Sequence, residues 1–281
     1  MASLMLAVEF GTFLIFMACL IHAFKKGKKY VFLLFIVFLY SILFENLNMM
    51  LSANKPAGYY YSQGFHLFIG DLPIFVAFSW ASLIYSAYFL TNSLGVKESS
   101  KPFVDALLVL LVDLAIDVFA IRFGFWYWRG YSFHEGWFGV PANNYMGWFL
   151  VTFFFSLMYR KLTSAKMNER LRYPLLVFST FGAYLLVFLA FALIEPVSSY
   201  LTKSYEMLLV VLLALLSLLF IRKGGKPKTS ENIDWLVRVP FYLFGFYGLI
   251  NFYGEGVLFT MAFLSLVFVE VLVILRSRIK R

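Results

Sequence analysis

Seven carboxylates stand where a chain this apolar has little use for them: Glu9, Glu45, Asp71, Asp113, Asp117, Glu195 and Glu255 fall inside or at the edge of long apolar segments. A carboxylate in hydrocarbon costs at least ~2.5 kcal/mol, so each is a candidate for function by default. Asp113 and Asp117, in Asp-Leu-Ala-Ile-Asp, are spaced i, i+4 and share one helix face. Two carboxyls held that close ionise in separate steps, so that one keeps its proton while the other is charged. An acid and a base in one site need that arrangement. The competing reading is that the pair bonds to Arg122, to tyrosine hydroxyls or to neighbouring backbone and only fixes helix packing.

Aromatic residues surround the pair in sequence. The stretch from 123 to 148 holds Trp126, Trp128, Trp137 and Trp148, together with Gly139, Pro141, Asn143, Asn144 and Gly147. A belt of rings at headgroup depth accounts for single tryptophans. The glycines, proline and asparagines point further, to a shaped loop with polar tips, which is tolerated at that depth only against protein or a cavity. A second aromatic loop, Gly58-Tyr59-Tyr60-Tyr61-Ser-Gln-Gly64, follows Glu45, Asn46 and Asn48. Trp80, Tyr85 and Tyr88 read as packing residues, and Pro73 as a residue that starts or kinks the third apolar helix. His22, His66 and His134 are isolated, with no HxxxH or HxxHH cluster, which disfavours the di-iron membrane desaturases and hydroxylases. Glu270 stands apart from the other acids.

The elements that must position these residues follow from composition. Hydrophobic residues make up 62% of the 281, charged residues 14%, and mean hydropathy is +0.81. A bilayer of ~30 Å asks for ~20 apolar residues per span, and the runs here are continuous and not alternating, which excludes a β-barrel. The expected class is an all-α polytopic membrane protein. Its spans are drawn at about 3–24, 30–51, 68–91, 102–122, 144–160, 173–195, 205–221, 235–252 and 255–275: about nine, or eight if the last two, separated only by Asn251 to Glu255, are one. No segment connects two soluble parts and no repeat is evident, so 1–281 is expected to form a single integral-membrane domain. The first segment lacks a basic leader region and reads as a retained helix.

Lysine and arginine set the orientation. Alternate connections hold Lys25, Lys26, Lys28 and Lys29; Lys97 and Lys101; Arg160, Lys161, Lys166, Arg170 and Arg172; Arg222, Lys223, Lys226 and Lys228; and the tail Arg276, Arg278, Lys280 and Arg281. The other side holds Lys55, Arg122, Arg129 and Lys203. This asymmetry predicts an outside N-terminus and a cytoplasmic C-terminus in the cell membrane, and it gives the net charge of +9 a cause other than nucleic acid. It also gathers most of the acids in the outer half of the bilayer, with the connections 52–67 and 123–143 capping them as aromatic outer loops. Cys19 is the single cysteine, so no disulfide or cysteine metal cage forms. No phosphate-binding loop, dinucleotide fingerprint or serine-hydrolase elbow occurs.

With those residues in view, the chain resembles a known family. Asp113-Leu-Ala-Ile-Asp117, Gly124-Phe-Trp126-Tyr-Trp128 and Gly139-Val-Pro141-Ala-Asn143-Asn144-Tyr-Met-Gly147-Trp148 are similar to the carotenoid biosynthesis protein family of membrane carotenoid hydratases, the γ-carotene 1′-hydratase and bisanhydrobacterioruberin hydratase type. Glu45, the tyrosines from 59 to 61, Pro73 and Trp80 resemble its earlier segment. The specific part covers roughly 45–150, and the chain departs at Val118, where a proline is common. The resemblance implies addition of water to a terminal isoprenoid double bond, with a carotenoid or other long isoprenoid lipid as substrate, membrane lipids and other carotenoid enzymes as partners, and neither a cofactor nor a metal. On it and on the shared helix face rests an assignment of Asp117 as general acid and Asp113 or Glu45 as the water-orienting base. Trp126, Trp128 and Trp148 would line the cation, Asn143 and Asn144 would hold water or the loop, and Tyr59 and Tyr61 would bind substrate. Two other classes fit the composition. A UbiA-type magnesium-dependent prenyltransferase needs a second acid-rich motif, and a proton-coupled transporter would show two similar halves.

Overall fold

Hydrocarbon offers no partner to a backbone N–H or C=O, so a spanning segment must close its hydrogen bonds on itself, and the apolar runs of this chain do so as helices. The computed structural model describes residues 2–54, 58–198, 203–227 and 231–278. Lys55, Lys228, Lys280 and Arg281 lie outside the described residues, as do the side chains of Glu195 and Lys203. Nine α-helices are present among the described residues: α1 Ala2–Lys26, α2 Lys28–Ser52, α3 Ile74–Ser93, α4 Lys101–Arg122, α5 Ala142–Ser164, α6 Glu169–Ser198, α7 Lys203–Arg222, α8 Asn232–Asn251 and α9 Val257–Arg278. Six of them (α1, α2, α3, α6, α8 and α9) are long and apolar enough to cross a membrane, and Met207–Arg222 is a shorter apolar helix. The protein is thus an all-α polytopic membrane protein.

The charged helix α4 is the hub. From Val104 to Ile121 all its side chains but Ile116 are buried, and it packs on α3, α5, α7, α8 and α9. A helix that is covered all round can hold Asp105, Asp113 and Asp117 away from lipid, which is why its composition is unlike that of its neighbours. Helices α1, α6 and α9 are peripheral and turn Phe10, Leu185 and Phe268 outward, as lipid contact requires.

Two buried ion pairs tie the bundle together, and both correct the sequence reading. Arg160, counted among the loop cations, is buried on α5. Its Nε and Nη2 donate to Asp105 Oδ2 and Oδ1 at 2.7 and 2.9 Å, and Nη1 donates to Asn92 Oδ1 at 2.9 Å. Glu270 of α9 does not stand apart, because Arg238 of α8 grips both its oxygens and also donates to the carbonyl of Leu108 on α4. Such pairs pin helices in register, because a lone charge left behind would be costly.

Short strands depart from the all-helical picture. Residues 68–73, expected within the third span, form a hairpin of β2 (Phe68–Ile69) and β3 (Leu72–Pro73). Gly70 turns it at φ 66°, and Asn46 of α2 holds it by donating to the carbonyl of Ile69 and accepting the N–H of Asp71, both at 3.0 Å. Pro73 then starts α3, since it has no N–H to leave unsatisfied. The strands β1 (Tyr59–Tyr61) and β4 (Trp126–Trp128) join the two aromatic connections as an antiparallel pair, with Tyr59 opposite Trp128 and Tyr61 opposite Trp126.

Candidate active site

Strand geometry decides which rings face inward. Side chains alternate at period two, so Tyr59, Tyr61, Trp126 and Trp128 turn toward the helices while Tyr60 and Tyr127 turn away and stack on each other at 5.3 Å. The inward rings pair across the ladder, Tyr59 with Trp128 at 4.9 Å and Tyr61 with Trp126 at 5.8 Å between centroids. They close one end of a cavity of ≈ 300 Å³.

At that end the cavity gathers Glu45 of α2, Asp113 and Asp117 of α4, and Asn144 and Trp148 of α5. All three carboxylates are buried. Asn144 bridges the aspartates: its Nδ2 donates to Asp117 Oδ2 at 2.7 Å and to Asp113 Oδ2 at 3.3 Å. That shared donor keeps both carboxyls turned to one point. Glu45 is addressed from above, where Tyr59 Oη donates to Oε2 and Tyr61 Oη donates to the same oxygen at 3.4 Å. Asn48 Nδ2 in turn donates to Tyr59 Oη at 3.3 Å. Burial, reinforced by the Glu45 carboxylate, holds both phenols well above the usual tyrosine range, so they stay protonated and donate. The Trp128 indole N–H is buried with no hydrogen-bond partner among the described residues.

Away from the carboxylates the lining turns apolar: Ala7, Val8, Gly11, Thr12 and Ile15 of α1, Phe75, Val76 and Leu83 of α3, and Pro240, Phe241 and Phe244 of α8. The Thr12 hydroxyl donates to carbonyls of its own helix at 2.9 and 3.0 Å, so it offers no free donor to that wall.

Of the residues singled out from sequence, Glu45, Tyr59, Tyr61, Asp113, Asp117, Trp126, Trp128, Asn144 and Trp148 line this cavity. Asn143 does not: it is exposed, because one residue of helix rotation turns it from the face that Asn144 presents. The other acids have local work. Glu9 is buried and accepts the backbone N–H groups of His66 and Leu67 at 2.8 and 3.2 Å and the His66 ring nitrogen at 2.7 Å, tying α1 to the loop before α3. Asp71 is exposed on the hairpin, and Glu255 pairs with Arg122 at 2.9 Å. Trp137 donates its N–H to the Leu114 carbonyl at 3.1 Å. Trp80, read as packing, is a cavity residue as well, fully buried against Trp148 at 4.2 Å between centroids.

The fold and this cavity define a polytopic helical membrane protein with a carboxylate-and-aromatic site opening into an apolar pocket. Its sequence matches the family described as carotenoid biosynthesis protein over residues 4–221, and the chain belongs to that family. It is also 33% identical over 88 residues to a bisanhydrobacterioruberin hydratase of Haloarcula japonica, a match covering 30% of this chain and 29% of that protein. The chain therefore spans under a third of the length of that curated relative. No solved structure matches it.

Proposed function

We propose that the chain is a carotenoid hydratase of the cell membrane, adding water across a terminal trisubstituted C=C of an acyclic carotenoid. The observation that carries this reading is the meeting of three buried carboxyls from two helices at the aromatic end of an otherwise apolar cavity. The family membership and the hydratase relative support it at the level of substrate class.

In the proposed cycle the protonated Asp117 delivers its proton to the less substituted carbon of the double bond. The π electrons form the new C–H bond and leave a tertiary cation on the other carbon. The faces of Trp126, Trp128 and Trp148 steady that cation, each worth about 2 kcal/mol when desolvated. A water accepted by Glu45 then adds to the cation, its oxygen forming the C–O bond and its released proton passing to Glu45. Return of that proton to Asp117 restores the starting state, so the sum is alkene plus water giving a tertiary alcohol. Asp113 shares the Asn144 donor with Asp117 and steers the proton between the two aspartates. Tyr59 and Tyr61 occupy Glu45 Oε2, which leaves Oε1 to orient the water. Each step can run backward, so the same site also serves dehydration.

The cavity lies at the end of the bundle opposite the lysine-rich α1–α2 turn, and we place that end outward. The test is mass spectrometry of pigments from a lycopene-producing bacterial host expressing the chain or its Asp117→Asn variant. A product heavier by one water, made by the wild type and absent with the variant, is expected. An unchanged pigment profile with well-inserted wild-type protein overturns the assignment.

A further inference from the structure

A cavity of ≈ 300 Å³ stands at the low end of ligand pockets, which run from about 300 to 1,000 Å³. A long polyene is comparable in length to the ~30 Å hydrocarbon core, so most of it cannot fit inside. The rest must leave through an opening whose walls suit hydrocarbon. Position along α1 shows where that opening is. Ala7, Gly11 and Ile15 lie one turn apart on the cavity-facing side, and Ala7 lines the cavity while being itself exposed on the outside of the bundle. Across from them stand Pro240 and Phe244 of α8, both half-buried. Pro240 donates no backbone hydrogen bond, which frees the Leu236 carbonyl and breaks the regular packing edge of α8 there. At Gly11, which lines the cavity, an added Cβ would meet nothing within 4 Å. The gap therefore lies beside Gly11.

We propose that the substrate enters and stays threaded through a lateral mouth between α1 and α8, and that Gly11 sets its width and so determines which chain lengths are accepted. The inference deepens the hydratase reading and rests on it for the identity of the polyene. With its terminal double bond at the carboxylates, the shaft passes Gly11 into the bilayer core for as long as the reaction lasts. A short isoprenoid with the same terminal group fits wholly inside and does not occupy the mouth.

The test uses Gly11→Phe in the full chain, with Leu6→Phe as the control. Leu6 is exposed on α1 and turned away from the cavity-lining residues. Turnover is compared for an acyclic carotene and for a ten-carbon acyclic isoprenoid bearing the same terminal double bond. Gly11→Phe should lower carotene turnover at least tenfold and that of the short substrate less than threefold, while Leu6→Phe changes neither. Equal losses on both substrates, or no loss on carotene, overturn the mouth. A wild type that hydrates neither substrate sinks the hydratase reading alone. The mouth is then read from quenching of tryptophan fluorescence by carotene, since Trp80, Trp126, Trp128 and Trp148 line the cavity. Half-quenching at least tenfold higher in carotene for Gly11→Phe supports it, and an unchanged curve overturns it.

Discussion

Among single residues, Asn144 carries more than its type suggests. One amide nitrogen addresses both aspartates, and a hydrogen bond to a charged group contributes about 1.5–3 kcal/mol. Asn144→Leu keeps the size and removes the donor. It should lower turnover by roughly ten- to a hundredfold with Asp113 and Asp117 both intact, measured as rate per inserted protein. Tyr59→Phe removes the hydrogen bond to Glu45 and should cost a similar factor. Because burial and the neighbouring carboxylate raise the Tyr59 phenol, the wild-type rate should show no loss from phenol ionisation up to pH 10, the ordinary tyrosine value. Both residues stood out in the sequence, since the i, i+4 aspartates and the two aromatic loops are local signals. Gly11 and Phe244 gave none, and Trp80, though part of the segment that resembles the family, read as packing. Their place in the cavity depends on how α1, α3 and α8 pack, and an aromatic or small residue in an apolar run reads as core either way.

At the level of elements, the helices were legible because continuous apolar runs leave few alternatives, and apart from the start of the third span their ends fell within a few residues of the helix ends. The hairpin at 68–73 was hidden because an apolar Phe-Ile and Leu-Pro flanking a turn continue the hydropathy of the helix that follows. The ion pairs were hidden for a different reason: Asp105 and Arg160, or Arg238 and Glu270, lie far apart in sequence and meet only across a packed interface. Glu270→Ala should destabilise the protein by about 3–5 kcal/mol, because it leaves a buried guanidinium unpaired. A thermal unfolding series in detergent reads that loss, and the Arg238→Met, Glu270→Met double variant should recover much of it. The Arg122–Glu255 pair, which fastens the end of α4 to the turn before α9, is partly exposed, so Glu255→Gln should cost about 1 kcal/mol or less. Its hydrogen bond from Arg122 holds the Glu255 carboxyl below its ordinary value of 4.5. The contribution is therefore complete at neutral pH and fades as pH falls below 4.5 through the depressed folded value. The difference between wild type and variant should close over the same acid range.

For the whole molecule the decisive quantity is orientation, since the carboxylate end of the cavity and the lysine-rich turns occupy opposite ends of the same helices. If the basic connections are held inside, β1 and β4 lie outside, and water reaches Glu45 from the periplasmic or external face while the polyene arrives from within the bilayer. Two immiscible reactants would then approach one site along perpendicular routes. The single native cysteine makes this directly measurable, because Cys19 is fully buried and contributes no background labelling. Tyr127→Cys places a thiol on the exposed side of β4, and Lys97→Cys places one in the exposed connection before α4. In intact cells a membrane-impermeant maleimide should label Tyr127→Cys and leave Lys97→Cys untouched, and permeabilised cells should show both labelled. The reverse pattern would put the aromatic hairpin and its cavity at the cytoplasmic face, and with it the side from which water is drawn. The chemistry at Asp117 would survive that reversal, but an outward site would not.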